Sequence, residues 1–269
     1  MTSPIFPVAA IAALALPANA ALVAWYDFEE TSGSTITDKS GNGHNLTVEG
    51  TGANLSQAGV FGSGLALTTT SSASMTSLAN IQSRTSGEIS ISFWAQAAAE
   101  SQNFNNTLLA GYTSDGRFAS THLEWGDGNA YFDIGDSGPD DYARASGTGT
   151  SADAYHFYVI NFDETSGNIS VYKDDMTTAF VSGNSATAAL NWAGLNFFRL
   201  GGNGAGAAAP ATGNASWAGN LDDFAIFDEN LTLAQRETLR VSGVQAIPEP
   251  SSSALVGLLG LGLIARRRR

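Results

Sequence analysis

One recurring pattern restricts the fold of this chain more than any other feature: a short apolar run, closed by a cluster of Gly, Asn, Asp and Ser. Leu22, Ala24, Tyr26 and Phe28 alternate with their neighbours and so share one face of a strand. After the polar stretch Glu29–Gly33 comes Ser40-Gly41-Asn42-Gly43, which only a tight loop accommodates, because Gly and Asn tolerate positive φ. Leu65–Leu67, Ile89–Trp94 and Thr107–Tyr112 read as further strands. His122–Trp125 and Tyr131–Ile134 flank Gly126–Asn129, and Tyr155–Phe162 and Ile169–Tyr172 flank Asp163–Asn168, so each pair predicts a hairpin. Leu195–Leu200 leads into a Gly- and Ala-rich insert, Gly201–Gly213, expected to be a loop, and Leu221–Phe227 is the last strand. A single helix is expected over Thr232–Arg240, with Thr232 as N-cap, Leu233, Arg236 and Leu239 in helical spacing, and Gly243 at its end. Many short strands with turns between them predict an all-β sandwich or barrel, and a chain of this length can bury one core without staples. Cysteine is absent, which excludes disulfides and thiolate metal sites.

The two ends are of a different kind. Val8–Leu16 is an unbroken apolar stretch followed by Pro17 and Ala18-Asn19-Ala20, the small-x-small pattern of a signal-peptidase site, and cleavage is expected between Ala20 and Ala21. No Lys or Arg precedes the apolar stretch, a departure from the usual export signal. At the other end Pro248-Glu249-Pro250 and three serines precede Ala254–Ala265, twelve residues without a charge, and then Arg266–Arg269. Twelve is short of the roughly 20 residues that cross a bilayer as an independent helix, and the arginines favour the cytoplasmic side. This order of blocks resembles the PEP-CTERM sorting signal of Gram-negative bacteria. The resemblance implies transient membrane contact, processing by an exosortase-type protease, and export to the cell envelope, outer surface or extracellular matrix. The chain thus divides into residues 1–20, a signal peptide; 21–244, a folded domain; and 245–269, a sorting tail.

With Glu249 and the four terminal arginines set aside, 24 acidic residues face 8 basic ones, a formal charge of −16. Nucleic acid is therefore excluded as a partner, since its phosphates demand the opposite sign. Three blocks then carry a second resemblance. They are Trp25-Tyr26-Asp27-Phe28-Glu29-Glu30-Thr31-Ser32-Gly33 with Asp38-Lys39-Ser40-Gly41-Asn42-Gly43-His44-Asn45; Ile89–Ala95 with Tyr155–Val159 and Val171–Asp174; and Ala218–Phe227 followed by Leu231-Thr232. In that order they resemble the laminin G-like, concanavalin A-like jellyroll domains. The resemblance covers Leu22 to about Val241 and implies two antiparallel sheets packed face to face, with a short C-terminal helix. Asp174-Asp175 stands where such domains often have Asp-Gly, so that turn is expected to differ.

Fold alone does not give function, so chemistry is sought in the residues. His44, His122 and His156 have neither a nucleophile-elbow partner nor metal-type spacing. His156 sits in an apolar strand and reads as structural. Glu124 and Asp127 are the nearest pair of acids, but Gly126 and the turn break the alternation that would aim both into one cleft. No catalytic residue is therefore assigned, and the chain is expected not to be an enzyme. Calcium fits better: a Gly-rich loop can aim several hard oxygens at one point, and Glu29, Asp38, Asn42 and Asp222 are the candidate ligands, with simple Asx turns as the alternative. For a glycan, whose rings stack on aromatics, Trp125 and Trp192 flank turns and are the candidates, with Tyr112, Tyr131 and Tyr142 beside them.

Three function classes follow: a non-catalytic surface or matrix protein that binds glycan or protein, a structural envelope or biofilm component without a ligand, and a polysaccharide-active enzyme. The first is the leading expectation, with signal peptidase, the exosortase-type protease and an extracellular polysaccharide or surface protein as partners.

Overall fold

A computed structural model describes residues 21–98, 107–113, 116–135, 141–149, 154–202 and 217–247. One compact body spans Ala20–Ile247. Its first strands are β1 (Leu22–Tyr26), β2 (Thr35–Ile36), β3 (Leu46–Gly50), β4 (Asn54–Ala58), β5 (Ser63–Leu67) and β6 (Ser71–Met75), followed by one helical turn, α1 (Ala79–Gln82). Then come β7 (Glu88–Ala97), β8 (Leu109–Thr113), β9 (Arg117–His122), β10 (Asn129–Ile134) and β11 (Ala143–Thr148). The remainder is β12 (His156–Asp163), β13 (Asn168–Lys173), β14 (Val181–Asn184), β15 (Leu195–Leu200), β16 (Gly219–Phe227) and the helix α2 (Leu233–Ser242).

These strands form two antiparallel sheets. The first runs β14-β13-β12-β7-β16-β5-β4, with β1 also paired to β16, and the second runs β11-β10-β9-β8-β15-β6-β3-β2. The alternating residues read from the sequence fill the gap between them. Phe132 of the second sheet meets Tyr158 of the first at 6.1 Å, and Phe198 meets Phe224 at 6.0 Å. Phe93 stacks on Tyr158 and on Phe224 within its own sheet. The fold is the expected two-sheet jellyroll sandwich.

The outer face of the first sheet is apolar as well, with Phe157, Val159, Ala225 and Phe227. It is covered by Leu231, by Leu239 of α2, and by Val244 in the 3-10 turn that follows. Thr232 caps α2 in a capping box with Gln235, and Gly243 ends it at φ +77°, so both signals read from the sequence hold. Arg236 is buried beneath the helix: Nε and Nη2 donate to Met176 O, Nη1 donates to Leu231 O, and the guanidinium lies 3.7 Å from the centroid of the Tyr172 ring.

Both predicted hairpins are present, β9–β10 and β12–β13. The first strand of the β9–β10 pair ends at His122 rather than at Trp125. Leu123 and Glu124 leave the ladder, and Trp125 opens the turn, its carbonyl accepting from Gly128 N at 2.8 Å. At Asp174-Asp175 the chain turns with Asp174 itself at φ +58° and its carboxylate holding Phe157 N and His156 Nδ1. The insert beyond Gly202, the leader to Ala20, and the tail with Pro248, Glu249 and Pro250 lie outside the described residues. Ala21 is described, and its carbonyl accepts from Asp228 N.

Candidate functional site

The four expected calcium ligands fall into two groups. Asp38 and Asn42 tie their loop to β1. The Asp38 carboxylate accepts from Trp25 N at 3.1 Å, Ser40 N at 2.9 Å and His44 N at 2.9 Å, and the residue is only 6% exposed. The Asn42 amide nitrogen donates to Leu22 O and Val23 O, both at 2.9 Å. Asp38 makes an Asx turn with Ser40 N, Asn42 is anchored through its amide nitrogen, and neither lines the cleft that holds Glu29 and Asp222.

Glu29 and Asp222 do converge, because β1 pairs with β16. Together with Asp27, Asp223, Trp25, Phe61 and Gln245 they line a cleft of about 250 Å³. A bulge in β16 between Asp222 and Ala225, with Asp223 at φ +47°, turns both carboxylates to the outer face of the sheet. Asp222 Oδ2 accepts from Val60 N and Phe61 N, while its Oδ1 is buried without a hydrogen-bond partner. Glu29 Oε1 accepts from Ser63 N, and a Cβ at Gly62 would overlap that oxygen. Asp223 holds Trp25 Nε1 and Val244 N. Burial pushes Asp222 up to about 7 and Asp223 up to about 6. The carboxylate oxygens that line the cleft are hard donors. No group of three or more His, Asp or Glu among the described residues is arranged to hold a metal ion.

The two candidate tryptophans separate just as clearly. Trp192 is 2% exposed, donates its Nε1 hydrogen to Ser86 O at 2.7 Å and packs edge-on against Phe118 at 4.9 Å. It is a core residue, closed to a ligand. Trp125 is half-buried and meets His122 edge-on at 4.4 Å and Tyr131 at 6.4 Å.

These rings form part of a cavity of about 270 Å³ lined by Arg117, His122, Trp125, Tyr131, Tyr142 and Arg144, on the outer face of the second sheet. Strand register builds it. Tyr131 lies opposite His122 on β9, and Asp133 lies opposite Ser120 on β9 and Arg144 on β11. Between β8 and β9 the register slips, Gly111 facing Ala119 and Tyr112 facing Arg117, so Phe118 is an extra residue. That slip frees Arg117 from the core side, where Ala119 lies, and lets it reach Asp133. Asp133 is fully buried: it accepts from Arg144 Nε at 2.7 Å, Arg144 Nη2 at 2.8 Å and Arg117 Nη1 at 3.2 Å. The Tyr142 ring lies against both guanidiniums, at 4.6 Å from Arg117 and 4.7 Å from Arg144. Sequence reasoning named Trp125, Tyr131 and Tyr142 but missed the two arginines. Their signal was Asp133, an acid in the middle of an apolar strand, which requires a cationic partner.

Comparison with known proteins fits this geometry. Residues 67–235, more than half of the chain, match the model of the concanavalin A-like lectin/glucanases superfamily. The chain belongs to that superfamily. Residues 246–269 match the PEP-CTERM protein-sorting motif, so this concanavalin A-like domain carries a signal that implies exosortase processing and export to the cell envelope of a Gram-negative bacterium. Among solved structures, it is similar to domain 4 of AbnA, a GH43 extracellular arabinanase from Geobacillus stearothermophilus, in complex with arabinotriose. The TM-score is 0.56 at 17% identity, over 82% of this chain and 98% of that one. It is similar also to the binding domain of botulinum neurotoxin DC in complex with rat synaptotagmin II, with TM-score 0.56 and 15% identity over 81% of this chain. A third is the binding domain of botulinum neurotoxin serotype C1, with TM-score 0.58 and 16% identity over 81% of this chain. The chain spans about half the length of each of these two toxin domains, 51%. No curated protein matches the sequence.

Proposed function

We propose that this protein is an exported, non-catalytic binding module of the outer surface or extracellular matrix, and that it holds a saccharide in the Trp125 cavity. One observation carries the reading: three aromatic side chains and two arginines, from β9, β10, β11 and the residues that flank them, line one concavity. Aromatic rings offer the apolar platform that sugar faces need, and the fixed guanidiniums supply hydrogen bonds. A similar fold bound to arabinotriose in an arabinanase adds to it. The non-catalytic part rests on Asp133, the carboxylate beneath the cavity, which is fully buried and occupied by both arginines, and so cannot serve as a general acid or base. A panel of oligosaccharides titrated calorimetrically against the protein and against Trp125→Ala tests the reading. The variant should bind at least about tenfold more weakly, a loss of roughly 1.4 kcal/mol. Equal binding by both would remove the cavity from the function, and release of reducing ends from a polysaccharide would make the protein an enzyme.

A calcium ion belongs to the same reading as a structural element, at Glu29 and Asp222. Its support is the buried, unpartnered Asp222 Oδ1, which a cation would satisfy. Because the ion binds only the folded state, saturation at a hundredfold excess over Kd stabilises by about 2.7 kcal/mol. Thermal unfolding in EDTA and in millimolar calcium should therefore differ by several degrees for the native protein, and by little for Asp222→Asn. Identical melting temperatures for the native protein in the two conditions would dismiss the ion.

A further inference from the structure

We infer that the sugar residue held in the Trp125 cavity is an acidic one, a single carboxylate-bearing ring at the end of a short saccharide; this rests on the saccharide reading above. Charge is the first ground. Among the described residues the wall contains Arg117 and Arg144 and no carboxylate. Asp133 lies beneath it with no exposed surface, and Asp127 binds the Tyr131 hydroxyl in the exposed turn without joining the wall. Arg117 and Arg144 both reach one fully buried carboxylate, Asp133. In a domain with 24 acidic and 8 basic residues, two arginines thus stand side by side in one wall.

Geometry is the second ground. A neutral sugar needs hydrogen bonds but no net charge, whereas a carboxylate is matched by the planar fork of a guanidinium held in place. Both forks are held here, by Asp133 on one side and the Tyr142 ring on the other. Asp133 occupies Nε and Nη2 of Arg144, which leaves Nη1 of that residue for a ligand. Size sets the extent of the ligand. About 270 Å³ lies below the roughly 300–1,000 Å³ of sites that enclose a drug-sized molecule, so the cavity takes one ring. The net charge of the domain repels a long polyanion, while over the screening length of about 10 Å at 0.1 M salt the arginine pair is the nearer field.

The experiment edits the ligand rather than the protein. Trigalacturonate and triglucuronate are titrated against the full chain at 0.1 M NaCl, each beside its methyl ester, which keeps shape and hydroxyls and removes charge. The free acids should bind at least tenfold more tightly than the esters, and the gap should narrow at 1 M NaCl and in Arg144→Gln. Esters that bind as tightly as acids, or neutral oligosaccharides that bind while both uronates fail, would overturn the acidic ligand and leave the saccharide reading standing. If neither acidic nor neutral oligosaccharides bind, the saccharide reading fails and this inference with it. The acid–ester comparison needs no variant, so a misfolded Arg144→Gln leaves the result decisive.

Discussion

Trp192 gives its indole hydrogen to Ser86 and its ring to Phe118, whereas Trp125 meets His122 and Tyr131 at the edge of a cavity. Replacement by Ala should separate them. Trp192→Ala empties a core site and should cost about 3–5 kcal/mol, while Trp125→Ala should cost about 1–2 kcal/mol, both read as the shift in denaturant midpoint. Equal costs would make Trp125 a core residue and not a binding one. In the sequence the two look alike, since each adjoins a turn, and what divides them is Phe118, more than seventy residues before Trp192. The same limit explains Asp38 and Asn42. Their oxygen chemistry is legible, but the bonds from Trp25 N and His44 N to the Asp38 carboxylate, and from the Asn42 amide nitrogen to Leu22 O and Val23 O, depend on where the loop meets β1. Asp133 was legible in principle, because a carboxylate between Phe132 and Ile134 has to find a cation.

Among the elements, α2 is the one whose ends, cap and buried face were all readable, because capping and 3.6-residue spacing are local. The strands β2, β3, β4, β6, β11 and β14 were not read as strands, nor was β9 before His122. Their residues, such as Ser71-Ser72-Ala73-Ser74 in β6 and Ser182-Gly183-Asn184 in β14, carry little hydrophobic contrast for a period of two to show. Ser71 and Ser72 are nevertheless fully buried, since neighbouring strands cover them. What fastens α2 was legible only as a helix position: Arg236 satisfies the carbonyls of Met176 and Leu231, 60 and 5 residues away. Arg236→Met keeps most of the packing and removes those bonds; Leu231 O keeps its bond from Asn161 Nδ2, while the buried Met176 carbonyl is left unsatisfied at about 1–3 kcal/mol. Hydrogen exchange should then be faster by about a hundredfold in the Leu233–Ser242 amides and unchanged in β7 and β12. Uniform loosening of all three elements would show that the helix is part of the sandwich's cooperative unit rather than a layer fastened onto it.

At the scale of the molecule, the sandwich was legible as a class because turn spacing and alternation recur along the whole chain. The strand order was not, since pairings such as Tyr26 with Phe224 join residues that no local pattern connects. That pairing also puts the start of the domain beside its last strand, where Ala21 O accepts from Asp228 N. β16 is held by β7, by β5 and by β1, and the chain leaves it for the tail only through α2 and the 3-10 turn. For a protein tethered by its C-terminal end, tension arriving at Ile247 meets the Val244–Asp223 and Arg236–Met176 bonds before it loads the ladders of β16. Drawn out straight, the sixteen residues Thr232–Ile247 span roughly 50 Å, well beyond their helical length. Pulled from that end, the domain would release this length first, like a spring in a mooring line, while the cavity on the opposite sheet keeps its shape.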